Sequence, residues 1–456
     1  MKKHIPTVDL PKEKIVTEDY KLKIACVCHE FLQQCPLVCF KGSLLGYYGE
    51  IDDETLRYII KTALNKVYNK SISNYIKKIV DEIKLQSIDP MFETAENEIH
   101  PLNGTLTTKL DDFTSDLKVC WNRLNVNYNP NASNPIIFLK YLNDLFIPED
   151  ILTIQEYLGY SLIPTNKAQK ALFIVGNGGE GKSQLATVLK EIMGETMYEC
   201  HFVDLEKDRF LRSNLQNKLL MVDDELQTSA LKSTSIIKNL ITVSTSVNVE
   251  AKFVQSYKEE LKCRFLCFGN EYPKALYDKS DGFTRRLIVL QTKPKPKDRK
   301  DDPFIDEKII AEKEAIFLWM LEGLKRLIDN DFKFTIYQRT EDISDILKED
   351  NCSIPAFLED KNFVIMGAGY SATSKDLYQS YKEWCNENSF SPVCINSFIS
   401  WIHLNEENYN LKYNKHVSGY SGIDVRGFNG IKVIRANQYI MRSPNLDEAI
   451  TIASLE

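Results

Sequence analysis

The run Gly176-Asn177-Gly178-Gly179-Glu180-Gly181-Lys182-Ser183 has the residue types and the spacing to hold phosphate. Glycines let successive backbone N–H groups converge on anionic oxygens, and a helix opening at the end of the run adds its positive terminus. Lys182 would reach β- and γ-phosphates, and Ser183 would ligate Mg²⁺. Gly176, Gly178 and Gly181 also fit the spacing of a dinucleotide loop, but that chemistry has no use for a Lys-Ser pair at this place.

A second group of residues would act on the bound phosphates. Lys218-Leu219-Leu220-Met221-Val222 runs into Asp223-Asp224-Glu225, so an apolar strand ends in carboxylates at the edge where parallel sheets bind ligands. One acid would hold Mg²⁺ through water and a neighbour would orient the attacking water. Counting from the apolar run makes Asp223 the metal-side acid and Asp224 the catalytic one, with Glu225 as the alternative one residue on. A third apolar strand, Cys263 to Phe268, leads to Asn270, placed to sense the γ-phosphate; a plain turn asparagine is the bland alternative. Arg285 and Arg286 precede the strand Leu287–Leu290 and are either solvated surface or arginine fingers supplied to a neighbouring subunit. Val247 to Gln255 alternates like a strand, with Lys252-Phe253 near its middle. A cation for phosphate beside a flat ring is the minimum for gripping single-stranded nucleic acid, although Phe253 also reads as core.

These residues need an α/β scaffold. Leu172–Val175 reads as a buried parallel strand, Gln184–Met193 as the following helix, and strands and helices alternate from Ala171 to Thr292. Helix-period patterns dominate before that, at Ile24–Leu32, Thr55–Tyr68, Ser73–Leu85 and Pro135–Phe146, with a glycine-bounded hairpin at Phe40–Gly49. Thr292 to Pro303 is a proline- and charge-rich strap, and Phe304–Ile328 has helical spacing. The tail carries helices at Ile354–Glu359, Lys375–Asn388 (Ser374 as its cap) and Val393–Leu404, then a glycine-bounded hairpin to Ile434, which is the order of a winged helix. The expected domains are 1–160, mainly helical; 161–300, the ATPase core; 301–344, a helical extension; and 345–456, a winged-helix DNA-binding domain.

The chain has 456 residues, 43% hydrophobic and 27% charged, with a net charge of −7. That is a globular composition large enough for two or three domains. No apolar run is long enough to span a bilayer, and Met1–Tyr20 lacks the apolar segment of a secretory signal. With 11 cysteines and no such signal, a reducing, cytoplasmic setting is expected. Cys26, Cys28, His29, Cys35 and Cys39 lack a standard zinc spacing and sit among apolar residues, as core cysteines do. An acidic total argues against a DNA-binding coat over the whole surface but leaves room for a narrow basic channel.

Taken in order, the motifs resemble the superfamily 3 helicases of viruses, phages and plasmids, a branch of the AAA+ ATPases. The resemblance is nearest to the poxvirus primase–helicases and the C-terminal part of phage and plasmid primases, and extends to staphylococcal pathogenicity-island replication initiators. Pro101–Leu106, Val126–Pro130 and Gln155–Leu162 look like the helical domain that precedes the ATPase in that family, and Lys375–Cys385 like its C-terminal winged helix. The resemblance implies ATP and Mg²⁺ as cofactors and a homo-hexamer encircling single-stranded DNA, with 3′-to-5′ movement. It further implies origin or duplex DNA on the C-terminal domain. It places Lys252-Phe253 on the family's channel hairpin, where the usual Lys-His tip has lost its imidazole. Asn270 falls on the sensor asparagine and Arg286, ahead of Arg285, on the arginine finger. Lys238 resembles a lysine that reaches a neighbour's nucleotide, although Val243-Ser244 replaces the usual Gly-Asp after that helix. No paired carboxylates on strands mark residues 1–160, so primer synthesis is not expected. Two other functions stay open: a DNA-binding initiator in which ATP only switches assembly, and an AAA+ machine that remodels protein.

Overall fold

The computed structural model describes residues 5–226, 234–242, 246–250, 257–270, 282–296, 302–337, 340, 353–388, 390, 392–407, 409–418 and 424–434. They belong to two compact units. The first comprises Met1–Ala230, Thr234–Pro273 and Arg285–Glu341, and the second Leu231–Ser233, Lys274–Thr284 and Asp342–Glu456.

The N-terminal part of the first unit carries three amphipathic helices, α1 (Ile24–Gln34), α2 (Asp53–Asn65) and α3 (Ser73–Gln86). Asp52 caps α2 by accepting the N–H of Thr55 at 2.7 Å, and Asp53 and Glu54 then meet the positive end of the helix. Val27, Cys28, Phe31, Ile59, Ile60, Ile79 and Ile83 form a core of their own with Val8 and Leu10. Burial pushes the thiols of Cys28 and Cys35 up to about 11, so both stay protonated and pack as small apolar groups. Among the described residues no group of three or more His, Cys, Asp and Glu side chains is arranged to hold a metal ion.

A second core in the same unit runs from Ile99 to Leu327 and encloses the phosphate-loop strand. Helices α4 (Ile136–Leu145) and α5 (Pro148–Tyr160) lead into strand β1 (Ala171–Val175), and the glycine loop delivers helix α6 (Ser183–Met193). Strands β2 (Met197–Glu199) and β3 (Leu220–Asp223) follow, then helix α7 (Ser235–Ile241). A short antiparallel ribbon, β4 (Val247–Val249) with β5 (Tyr257–Glu259), precedes β6 (Arg264–Gly269) and β7 (Leu287–Gln291). The sheet order is β7-β1-β6-β3-β2 with every pairing parallel. Both faces are covered, which is why β1, β3 and most of β6 read as unbroken apolar runs. The architecture is a five-stranded parallel α/β sheet, consistent with a P-loop ATPase core.

Two details position the site. The apolar run at Phe304–Ile328 is two helices, α8 (Ile305–Ile310) and α9 (Lys313–Asp329), and not one. The break between them turns the carboxylate of Glu312 onto the free N–H groups of Ile137 and Phe138 at 3.0 and 2.9 Å. Glu312 thus caps α4, which walls the phosphate loop. Helices α5 and α9 cross at paired glycines. A Cβ on Gly159 would lie 2.3 Å from the carbonyl oxygen of Met320, and one on Gly323 would lie 2.2 Å from that of Gln155. The buried Glu156 beside this crossing is satisfied by Arg326 Nε at 2.6 Å and by the N–H and hydroxyl of Thr335, each at 2.7 Å.

The second unit has helix α10 (Ser353–Glu359), strand β8 (Val364–Thr373), helices α11 (Ser374–Glu387) and α12 (Ile395–Leu404), and strands β9 (Lys412–Ser418) and β10 (Asp424–Val433). Its antiparallel sheet has the order β8-β10-β9. Strand β8 was not legible in the sequence because Gly367, Gly369 and a register shift between Met366 and Ser371 interrupt its alternation. Thr373, and not Ser374, caps α11: its hydroxyl accepts the N–H of Asp376 at 3.1 Å. Phe357, Tyr381, Trp384, Phe398 and Phe428 form the aromatic centre of this unit's core.

Candidate nucleotide site

Strand β1 ends at Val175 and hands the chain to a loop that side chains would block. A Cβ on Gly176 would stand 2.1 Å from Thr292 Oγ1, and Gly178, Gly179 and Gly181 have φ of 96°, 78° and 98°. Tyr141, on α4, donates its hydroxyl to the carbonyl of Gly181 at 2.9 Å and fixes the far side of the loop. Ser183 then begins α6 with its side chain exposed.

The loop borders a cleft of about 1420 Å³. Gly178 through Ser183 form one side, Asp224, Glu225 and Asn270 another, and Ile136, Ile137 and Leu145 of α4 with Ile305 of α8 a third. Phosphate donors, carboxylates and an apolar wall therefore face one space, as a nucleotide site requires. Lys182 is only 8% exposed; its Nζ lies 2.8 Å from Glu180 Oε2 and 3.4 Å from Asn270 Oδ1. Asn177 is exposed on the loop but does not line the cleft. Glu180 accepts the N–H of Gly178 at 3.0 Å as well. Burial alone would raise the pKa of Glu180; the bond and charge of Lys182 and the backbone N–H groups outweigh it, and the net shift is downward.

The three acids after β3 are not equivalent. Asp223 ends the strand with its side chain buried and accepts the Phe202 N–H at 2.8 Å, the His201 Nδ1 at 3.3 Å and the Glu225 N–H at 3.3 Å. Burial raises its pKa, and these three partners oppose the rise without cancelling it. Asp223 does not line the cleft, whereas Asp224 and Glu225 are exposed and do. The Leu226 N–H donates to the Phe268 carbonyl at 2.7 Å, which draws this segment against β6 and holds both carboxylates opposite the loop. His201 also lines the cleft, oriented by Asp223. Neither His201 nor Tyr141 was singled out in the sequence, because each sits outside a recognisable motif and is brought in only by the sheet.

At the start of β6 the buried Arg264 donates to the carbonyls of Thr165 and Lys262, both at 2.9 Å, and its guanidinium lies 5.4 Å from the centre of the Tyr160 ring. This anchor fixes the strand whose other end presents Asn270. Arg285 and Arg286 close a 3-10 turn, Thr284–Arg286, and neither lines the cleft. Arg286 Nε donates to Thr242 Oγ1 at 3.0 Å, and that hydroxyl donates to the Lys238 carbonyl at 2.6 Å. Arg286 is thus tied to Thr242 at the C-terminal end of α7, the helix that carries Lys238, and neither Arg286 nor Lys238 lines the cleft. Lys252 and Phe253 lie outside the described residues; the ribbon β4–β5 that flanks them is braced by Arg209 on Glu250 at 2.9 Å and Lys41 on Glu259 at 2.8 Å.

Residues 174–286 match the model of a family of unknown function, DUF5906. The apo structure of the NrS-1 C-terminal region superposes with a TM-score of 0.52 at 16% identity, over 89% of this chain and 98% of that one. An A-form apo structure of the same region gives 0.52 at 15% identity, with the same coverage. The two chains share a fold. In sequence, the chromosomal replication initiator protein DnaA of Mycoplasma capricolum subsp. capricolum is 26% identical over 263 residues. That alignment takes in 52% of this chain and 54% of DnaA, so the chain spans about half the length of this relative. No helix among the described residues is long and apolar enough to cross a membrane.

Proposed function

We propose that the protein is an ATP-dependent, ring-forming DNA helicase, moving 3′-to-5′, that starts replication of a phage, plasmid or other mobile element. The observation that carries the reading is the convergence of Lys182, Ser183, Asp224, Glu225 and Asn270 on one cleft beside an apolar wall. A nucleoside triphosphate would lay its phosphates along the loop and its base against Ile136, Ile137 and Ile305. A hard divalent cation prefers oxygen ligands, and the Ser183 hydroxyl with the carboxylates opposite it fits Mg²⁺, which would supply charge neutralisation to the phosphates. Asp224 would orient the attacking water, with Glu225 as its alternate, and Asn270 would hold the γ-phosphate. Asp223 would act from behind, through His201 and the backbone it pins. The direct test is displacement of a strand from a forked duplex with a 3′ tail.

Hydrolysis in this reading is shared between subunits. Arg286, held by Thr242 at the end of the helix that carries Lys238, does not line its own cleft, and nor does Lys238, which suits delivery to a neighbour's phosphates. Arg286→Ala and Lys182→Ala proteins, each inactive alone, should then regain part of the ATPase rate when mixed. No recovery in mixed rings shown to form would count against a shared site.

The C-terminal unit is proposed as a winged helix on duplex DNA, supported by its element order and by the cations of its β9–β10 ribbon. Strands β9 and β10 carry the cations Lys412, Lys415, Arg426 and Lys432 against a single acidic residue, Asp424, in a chain of net charge −7. Asn414 pairs with Gly427 and Val417 with Val425, so Lys415 and His416 together oppose Arg426 in a bulge. Helix α12 has no Lys or Arg. The ribbon is therefore assigned to the phosphates. Replacing Lys415 and Arg426 together by Glu should weaken duplex binding and reduce the slope of log affinity against log salt by about 2. An unchanged slope would move the contact elsewhere.

The match to DnaA favours a second reading, in which ATP switches assembly on DNA without unwinding. Such a protein would bind ATP and duplex and fail to displace the strand.

A further inference from the structure

We infer that Glu180 is a stand-in anion for the nucleotide's phosphates: its carboxylate fills the phosphate seat of the nucleotide-free protein and must leave before a triphosphate can enter. The inference rests on the reading of this loop as a nucleoside triphosphate site. Glu180 is 2% exposed although it belongs to a loop bordering a wide cleft. Its Oε2 takes two donors at once, Lys182 Nζ at 2.8 Å and the Gly178 N–H at 3.0 Å. Its carboxyl carbon stands 3.1 Å from the point where a Cβ on Gly176 would be. The lysine and the N–H of a left-handed glycine are two of the features that make such a loop bind phosphate. A carboxylate has the charge and the acceptor oxygens to use them in its place.

The two anions exclude each other. A donor aimed at the Glu180 oxygen is lost to a phosphate oxygen, and two anions a few ångströms apart in a partly desolvated seat repel strongly. The carboxylate has room to leave, since the flanking Gly179 and Gly181, with φ of 78° and 98°, lack side chains and the adjoining cleft is open. Held by Glu180 on one side and by Asn270 Oδ1 at 3.4 Å on the other, Lys182 stays ordered and neutralised until the exchange. Glu180 therefore sets nucleotide affinity by competition. It raises the concentration of triphosphate needed to fill the site, and its effect grows with the number of phosphates on the ligand.

The test uses the full chain and three probes: ATP, inorganic pyrophosphate and adenosine. Glu180→Gln keeps an oxygen for the Gly178 N–H and removes the charge. It should bind ATP and pyrophosphate more tightly by about tenfold to a hundredfold, the worth of one or more charge-assisted contacts no longer contested. Adenosine affinity should not change. Glu180→Ala should shift affinity in the same direction, and ATP should raise the melting temperature of both variants more than that of the unaltered protein. Equal or weaker ATP binding by both variants, with each shown to be folded by its melting transition, overturns the inference and leaves the nucleotide site standing. Absence of ATP binding by the unaltered protein sinks the nucleotide reading itself, and this inference with it.

Discussion

Lys182→Ala is expected to abolish hydrolysis and to weaken ATP binding severely while the chain stays folded. Lys182 is nearly buried, yet its partners are Glu180 and Asn270 at the edge of the cleft and not the apolar core. Losing a preorganised cation at a phosphate costs on the order of a hundredfold to a thousandfold in rate. Stability should fall less. The truncation leaves Glu180 without its strongest partner, a cost of about 1–3 kcal/mol, against the roughly 5–15 kcal/mol that holds a typical domain together. Thermal unfolding and nucleotide binding measured on one preparation separate the two effects. Hydrolysis at the unaltered rate would remove the loop from the chemistry.

Asp224→Asn should stop turnover with ATP still bound. The residue is exposed and lines the cleft, so its amide would keep the shape and lose the base. A loss of about a hundredfold to ten-thousandfold is expected of a group that handles the water's proton. Glu225 lines the same cleft and is the control. A dead Glu225→Gln protein beside an active Asp224→Asn protein would move the catalytic acid one residue along the chain. Asp223→Asn should behave differently from both. Its carboxylate is committed to Phe202, His201 and Glu225, so the change should lower stability as well as activity.

The strand, glycine turn and helix around Gly176–Ser183 were legible because their pattern is local. Gly176 through Ser183 follow one strand and open one helix, and every fixed position lies within a single turn of chain. The apolar runs at 172–175 and 219–222 were legible for the same reason: strands covered on both faces leave no alternation to interpret. The neighbour relations were not. Strand β6 lies between β1 and β3, which sets Asn270 beside the loop and the acids a full strand away, and no local spacing encodes that order. Nor does it reveal that Asp223 faces back to His201 while Asp224 and Glu225 face the cleft. In a segment of three consecutive carboxylates the choice is made by the Phe202 N–H and the Leu226 bond to β6, both distant in sequence. The helical run at 304–328 hid a break because Glu312 is an ordinary helix former; only its use as the cap of α4 explains why the helix stops.

The central claim is that this cleft burns ATP in a ring that grips DNA. The measurement that tests it most directly is the ATPase rate of the full chain with and without single-stranded DNA, across a range of protein concentrations. The account predicts a rate per subunit that rises with concentration as rings form, and rises further with single-stranded DNA. A rate per subunit that is independent of concentration and indifferent to DNA would contradict it.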